Sequence, residues 1–113
     1  MRNTDLLGVF EQLVLLALLH LGEDAYGMTV RREVERRTGR EVSLGAVYAT
    51  LDRLEVKGYV RSTSGGPTEE RGGRAKRFFR IESSGLKTLR ESLQTVEKMR
   101  AGLSWGVSPE AVL

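Results

Sequence analysis

The sequence of 113 residues contains no cysteine and only one histidine, His20. The absence of cysteine excludes a disulfide framework, a thiolate metal site and a thiol redox switch. One histidine without cysteine does not make a metal site either. His20, near the predicted end of an apolar helix, is instead expected to face free helix carbonyls. We therefore expect no metal and no cofactor.

Long hydrophobic runs are missing as well. The longest uninterrupted apolar segment, Leu13 to Leu19, is far shorter than the roughly 20 residues that a membrane-spanning helix needs. The first residues also lack a basic segment followed by a cleavage site. The sequence therefore predicts a cytoplasmic protein without a membrane partner.

Motifs of catalysis are also lacking. A nucleophilic triad needs a base near serine or cysteine, and a phosphate-binding glycine loop needs a strand-to-helix setting. The glycine pairs Gly65-Gly66 and Gly72-Gly73 lie within a predicted hairpin instead. We therefore predict no catalytic residues and a protein that is not an enzyme.

What the sequence does contain is a strong helical pattern that is interrupted once by strand-like segments. Its length supports one domain with a modest core. Asn3, Thr4 and Asp5 offer caps for a first helix, Gly39 would end the second and Ser43 would cap the third. The expected elements are helices at about 5–20, 25–38 and 43–57, strands at 59–63 and 76–81, and a last helix from residue 83.

This order of elements predicts a mainly α fold with a small β-hairpin, the arrangement of a winged helix-turn-helix domain. We expect residues 1–82 to form the winged helix-turn-helix domain. Residues 83–113 would then form a C-terminal dimerisation helix and a tail.

The third predicted helix has two chemically different sides. At about 100° per residue, one side carries only apolar residues, Leu44, Val47, Leu51 and Leu54. The other side begins with small residues and ends with cations, in the order Ala46, Ala49, Thr50, Arg53 and Lys57. Small residues permit close approach to a base edge or phosphate, and cations reach the DNA backbone. The pattern is typical of a recognition helix.

Basic residues are concentrated between this helix and the second strand. The formal net charge is only +3, but eight basic and three acidic residues lie between Arg53 and Arg80. The loop of the predicted hairpin holds several of these cations beside Gly72-Gly73, which favours close approach to a DNA backbone or groove. A solvated loop is the alternative interpretation of this cluster.

Apolar residues recur at helical spacing in the last helix. Leu86, Leu89, Leu93 and Val96 are spaced as in a coiled-coil seam. The first helix, which includes Leu6 and Phe10, is apolar almost all round and must be covered on more than one side. One small domain hardly has enough other elements to bury both sides of this helix. These six residues therefore predict a homodimer.

Three motifs follow one another along the chain. They are Ala25-Tyr26-Gly27, then Ser43-Leu44-Gly45-Ala46-Val47-Tyr48-Ala49-Thr50-Leu51 with Arg53-Leu54-Glu55 and Gly58, then Gly73-Arg74-Ala75-Lys76-Arg77-Phe78-Phe79 with Gly85. Together they resemble the PadR family of bacterial transcriptional regulators, over about residues 6 to 103. The resemblance implies a homodimeric DNA-binding repressor whose C-terminal helix builds the dimer, and family members often respond to aromatic or hydrophobic compounds.

The resemblance also implies which residues contact double-stranded DNA, at an operator that should be an inverted repeat. The third helix would enter the major groove through Ser43, Gly45, Ala46, Ala49, Thr50 and Arg53. Tyr48 and Lys57 would hold phosphates, although Tyr48 could equally be a half-buried core residue. The wing, which is the predicted β-hairpin of residues 59–81, would reach the adjacent backbone or minor groove through Arg71, Gly73, Arg74, Lys76 and Arg77.

Some positions depart from the family pattern. Ala46 and Ala49 stand where threonine and proline are common, and Phe78 and Phe79 stand where two tyrosines are usual. Contacts that the threonine hydroxyl would make are therefore expected to be lost at Ala46, and hydroxyl contacts of the tyrosine pair are not expected at Phe78 and Phe79. Glu82 replaces a common threonine before the last helix, and we expect Ser83 or Ser84 to cap that helix instead.

Two alternatives follow from the same residues. A winged helix also serves as a protein-interaction or adaptor module, with the third helix as an ordinary surface helix. Trp105, the only tryptophan, either packs back on the dimer or lines a ligand cavity.

Overall fold

The computed structural model describes residues 6–65 and 76–104. The helices are α1 (Val9–Leu21), α2 (Gly27–Thr38), α3 (Leu44–Val56) and α4 (Ser83–Arg100), with a 3₁₀ turn at Gly22–Asp24. The strands β1 (Val60–Ser64) and β2 (Arg77–Ile81) pair antiparallel, with Val60 opposite Ile81 and Ser64 opposite Arg77. The predicted mainly α fold with a small β-hairpin is confirmed.

The first helix begins later than predicted, at Val9 rather than near residue 5. The backbone N–H of Gly8 donates to Glu11 Oε1 at 3.0 Å, and the N–H of Leu7 donates to Ser92 Oγ of α4 at 3.0 Å. The side chains of Ser92 and Glu11 therefore accept hydrogen bonds from the two backbone N–H groups just before the helix, and Gly8 is the N-cap residue. The predicted caps Asn3, Thr4 and Asp5 lie outside the described residues.

The junctions of α2 and α3 follow the sequence signals closely. Gly39 ends α2 with a left-handed φ of 74°, and its N–H donates to Glu35 O at 2.8 Å. Ser43 caps α3 by accepting a hydrogen bond from the Ala46 N–H at 3.0 Å. Both predictions are confirmed, because each depends on backbone geometry within one turn.

The segment before α2 is extended rather than helical, contrary to the predicted start at residue 25. The N–H of Phe79 donates to Ala25 O at 2.8 Å, and Tyr26 forms a β-bridge with Phe78. Tyr26 thus adds an isolated β-bridge beside β2 of the two-stranded hairpin. This pairing fixes the wing against the start of α2.

One core unites all the helices and the hairpin. Its fully buried side chains include Leu15 of α1, Leu51 and Leu54 of α3 and Leu89 of α4. Within the ranges 6–65 and 76–104, no helix has the length and apolar character to cross a membrane.

The start of α4 is held by a close backbone contact rather than by a serine cap. Glu82 is the N-cap residue without a capping side-chain bond, and Ser84 Oγ donates to Gly58 O at 2.8 Å instead. The prediction that Ser83 or Ser84 caps α4 is therefore wrong. A Cβ on Gly85 would lie closer than 3.0 Å to the carbonyl oxygen of Tyr59, so only glycine permits this approach.

Candidate nucleic-acid interface

The exposed face of α3 is a narrow stripe of mostly small residues. Gly45, Ala49, Asp52 and Val56 are all exposed and follow one another at intervals of four, three and four residues. A Cβ on Gly45 would meet no atom within 4 Å. Ser43 and Ala46, also exposed, lie at the N-terminal end of the stripe. The helix therefore presents a surface that another molecule can approach closely.

Thr50 does not lie on this stripe, so its predicted placement was wrong. Its side chain is only 2% exposed, and its hydroxyl oxygen accepts a hydrogen bond from Arg53 Nη2 at 3.3 Å. Thr50 follows the core residue Val47 by three positions and precedes Leu54 by four, which places it on the core side of the helix. That spacing was visible in the sequence, as was the relation of Asp52 and Val56 to Gly45 and Ala49.

Tyr48 packs at the edge of the stripe, over the first residue of α2. A Cβ on Gly27 would lie closer than 3.0 Å to the ring and hydroxyl atoms of Tyr48. The Tyr48 side chain remains partly exposed. Gly27 therefore makes room for a tyrosine whose hydroxyl lies beside the N-terminus of α2, where an anion is favoured by free backbone N–H groups.

On the other edge of the stripe, a carboxylate of α1 holds two cations of α3. Glu11 Oε2 accepts from Arg53 Nε at 3.4 Å and from Lys57 Nζ at 3.2 Å. Glu11 is buried, whereas the two cationic side chains are about half exposed. Arg53 and Lys57 are thus held in place at the surface.

The same contacts set the ionisation of Glu11. Burial raises the pKa of Glu11, but the hydrogen bond from the Gly8 N–H and the contacts with Lys57 and Arg53 together outweigh burial. The net result is a pKa below the ordinary value of a glutamate. Glu11 is therefore ionised at neutral pH and stays paired with both cations.

Arg77, at the base of the wing, turns back to α3. Its Nη1 donates to Asp52 Oδ1 at 3.3 Å, and its Nη2 donates to Glu55 Oε1 at 2.7 Å and to Ser62 Oγ at 3.3 Å. Its guanidinium also lies 4.8 Å from the centre of the Phe79 ring. Arg77 was predicted to contact DNA, but in this structure its Nη1 and Nη2 donate to residues of α3 and β1.

Lys76 lies over an aromatic pair at the junction of wing and α2. Its Nζ is 4.4 Å from the centre of the Tyr26 ring, and that ring meets Phe78 edge to face at 5.3 Å. The contact leaves Lys76 exposed on the wing. Arg71, Gly73 and Arg74, the other predicted wing contacts, lie outside the described residues.

A second exposed face, on α4, is apolar. Val96 is 58% exposed and Met99 80%, and Leu93 is also exposed. A cleft of about 500 Å³ separates this face from α1 and is lined by Val9, Gln12, Leu93, Gln94, Val96 and Glu97. Sequence reasoning missed Val9 and Met99, although Met99 follows Val96 by three positions.

The six predicted dimerisation residues divide into two groups. Leu93, Val96 and Leu6 are exposed, and Phe10 and Leu86 are half-buried. Leu89 is only 2% exposed because it packs into the core of its own chain. Its assignment to a dimer surface was therefore wrong. Trp105 lies outside the described residues.

Comparisons with known proteins agree with this geometry. The sequence profile of the transcriptional regulator PadR-like family matches residues 15–91. Transcriptional regulator Rv3488 of Mycobacterium tuberculosis is 33% identical over 102 residues, which cover 87% of this chain and 89% of that protein.

Solved structures show the same fold. A PadR family transcriptional regulator from Eggerthella lenta has a TM-score of 0.63 and 26% sequence identity, covering 80% of this chain and 77% of that one. A transcriptional regulator from Clostridium thermocellum has a TM-score of 0.67 at 22% identity, covering 87% of this chain and 92% of that one.

Proposed function

Because this chain belongs to the PadR-like family and is a transcriptional regulator rather than an enzyme, we propose that it is a cytoplasmic repressor. It acts as a homodimer and binds an inverted-repeat operator in double-stranded DNA. The observation that carries the proposal is the small-residue stripe of α3, with Tyr48 at one edge and Arg53 at the other. This stripe lets the helix approach base edges between two phosphate-binding flanks.

The contacts divide by position on α3. Ser43, Gly45, Ala46, Ala49 and Arg53 enter the major groove, and Tyr48 and Lys57 hold phosphates. Thr50 supports Arg53 from the interior and contacts no DNA. Arg53 is well placed to read a base because Glu11 and Thr50 hold its guanidinium at fixed positions, and base discrimination requires such rigidity.

The wing supplies charge rather than sequence readout. Arg71, Gly73, Arg74 and Lys76 approach the adjacent backbone or minor groove, where cations follow phosphate charge. Arg77 braces the wing against α3 through Asp52 and Glu55. The brace orients the wing relative to the recognition helix.

The homodimer forms through the apolar face of α4 together with the exposed start of α1. Leu93, Val96 and Met99 continue one face along α4, and Val9 lies across the cleft from them. Exposed apolar surfaces of this kind mark protein contacts. Two-fold pairing of identical chains places two α3 helices on successive half-sites, which is why the operator is an inverted repeat.

A small aromatic or hydrophobic effector releases the DNA in this proposal. The cleft between α1 and α4 is the site that we assign to it, since the cleft is largely apolar and shares Val9, Leu93 and Val96 with the proposed dimer contact. A compound bound there would change how the two protomers are set relative to each other. The spacing of the two recognition helices would change with it.

Salt dependence tests this proposal against the alternative of a protein-interaction module. If a dimer neutralises about six to ten phosphates, the logarithm of the affinity falls with the logarithm of salt concentration at a slope of about −5 to −9. Fluorescence anisotropy on a labelled random duplex, from low to moderate salt, measures this slope. A nearly salt-independent association, or no association, would favour the adaptor function.

A further inference from the structure

The middle of the exposed stripe of α3 carries an acidic residue, Asp52. Its side chain is 60% exposed and stands between Ala49 and Val56 along the stripe. In a DNA groove, a carboxylate is repelled by phosphates on both sides. An acidic group at this position therefore weakens binding to every DNA sequence unless a specific contact compensates for it.

Arg77 holds this carboxylate in place. The guanidinium is itself anchored by Glu55, Ser62 and the Phe79 ring, so its Nη1 reaches Asp52 from a fixed position. Ser62 Oγ in turn donates to Glu55 Oε2 at 2.8 Å. Asp52 is consequently oriented by a network that extends from β1 and β2, outside its own helix.

Only one oxygen of Asp52 is engaged by this network. Arg77 contacts Oδ1, and among residues 6–65 and 76–104 no hydrogen-bond donor contacts Oδ2. Ala49, the neighbour of Asp52 toward the N-terminal end of the stripe, is too small to block access to the helix surface on that side. Asp52 thus presents an oriented acceptor where α3 meets the groove.

Base edges in the major groove offer few donors to such an acceptor. Cytosine presents its N4 amino group, whereas adenine presents its N6 amino group next to the N7 acceptor. A carboxylate carries acceptors only, so the adjacent N7 disfavours adenine. We propose that Asp52 is a specificity-determining residue that accepts a hydrogen bond from cytosine N4 at one base pair of each half-site. The proposal rests on the function proposed above, with α3 in the major groove.

The test uses selection from a pool of duplexes with a randomised 30-base-pair segment, carried out with the full-length chain and three variants. Asp52→Ala removes the acceptor, and Asp52→Asn replaces it with an amide that pairs well with adenine N6 and N7. Glu55→Gln is the matched control, because it removes one negative charge from the same network, keeps Asp52 and keeps the Oε1 acceptor that anchors Arg77. Circular dichroism confirms that each variant is folded.

We expect the wild type to prefer cytosine at one position of each half-site by about fivefold to a hundredfold. Asp52→Ala should lose that preference and keep the preferences at other positions. Asp52→Asn should shift it toward adenine, and Glu55→Gln should retain cytosine.

Two results would overturn the assignment. One is an Asp52→Ala variant that selects the same bases as the wild type. The other is a Glu55→Gln variant that loses the cytosine preference as fully as Asp52→Ala, which would show that the two carboxylates act only through Arg77. Failure of the wild type to enrich any duplex would instead contradict the DNA-binding function itself, so the two failures are distinguishable.

Discussion

The helices α3 and α4 each leave one face uncovered, and the two faces have opposite chemistry. The face of α3 consists of Gly45, Ala49, Asp52 and Val56, whereas the face of α4 consists of Leu93, Val96 and Met99. Small side chains let a rigid polar partner come near the helix backbone. Large apolar side chains gain free energy only when another apolar surface covers them. Exposure alone therefore does not indicate the kind of partner, whereas the size and polarity of the exposed residues do.

The largest effect should follow from placing a charge on the face of α4. Val96→Asp puts two carboxylates into the proposed dimer contact and removes two apolar side chains, each worth roughly 1.5 kcal/mol or more when buried. We expect the dimer dissociation constant to rise at least about a hundredfold. Sedimentation over a concentration series measures it.

Lys98→Asp is the control for this variant, since Lys98 is exposed two positions further along α4 and therefore points away from the apolar face. It should remain a dimer. The proposed dimer contact would be contradicted by equal dissociation of both variants, or by a wild type that is monomeric at micromolar concentration.

Glycines of the two helices should respond in opposite ways to the same substitution. Gly85→Ala forces a methyl group against the Tyr59 carbonyl, a backbone atom that cannot rotate away. We expect the free energy of unfolding to fall by about 1–3 kcal/mol. Urea denaturation measures the loss. An unchanged midpoint would contradict the close contact between Gly85 of α4 and Tyr59, the residue just before β1.

The matching change in α3 should stabilise the fold and impair binding. Gly45→Ala meets open space, and alanine is favoured over glycine in a helix by up to about 1 kcal/mol. The same methyl group stands on the face of α3 that we propose approaches DNA, so we expect weaker binding together with a higher unfolding midpoint. Anisotropy and denaturation on one preparation separate the two effects. A variant with full affinity would show that this end of the stripe stays away from the groove.

The smallest effect concerns the ion pairs that Glu11 of α1 forms with Arg53 and Lys57 of α3. The pKa of Glu11 is lowered in the folded state, so its ionised form stabilises the fold above the pKa of the unfolded chain, about 4.5. That contribution is lost as the pH falls through the lower folded-state pKa. Glu11→Gln should therefore be less stable than the wild type at pH 7, and the difference should shrink as the pH falls below about 4.

Urea denaturation at several pH values tests this dependence. Glu91→Gln serves as the control, because Glu91 forms an exposed ion pair with Lys87 on α4, and such pairs contribute little. A constant difference between Glu11→Gln and the wild type across this pH range would mean that charge is not what Glu11 contributes.

Much of the fold could be predicted because its signals are local. Ser43 caps α3 and Gly39 ends α2, as their sequence context indicated. The exposure of Gly45, Ala46, Ala49 and Arg53 on α3 also followed from helical spacing. Each of these features depends on residues within one or two turns, and helix geometry fixes their relation.

Other features could not be predicted, because they depend on residues far apart in the chain. Leu89 belongs to the same apolar series as Leu93, yet the core covers the former and leaves the latter exposed. Arg77 lies in a basic cluster but pairs with Asp52 and Glu55, and this contact joins the wing to α3. Residue spacing identifies which side chains share a face of a helix. Only the packing of the other elements determines which of those side chains are buried in the core.

The order of the elements, the end of α2, the start of α3 and the two-sided character of α3 can all be read from the amino-acid sequence, since they rest on short-range geometry and on the burial of apolar side chains. Which charged side chains are held in place depends instead on how distant elements pack. Glu11 reaches Arg53 and Lys57 across more than forty positions of the chain, and Arg77 reaches Asp52 across twenty-five. Contacts at such separations exist only once the helices have packed, because ion pairs at a surface are too weak to specify their own partners.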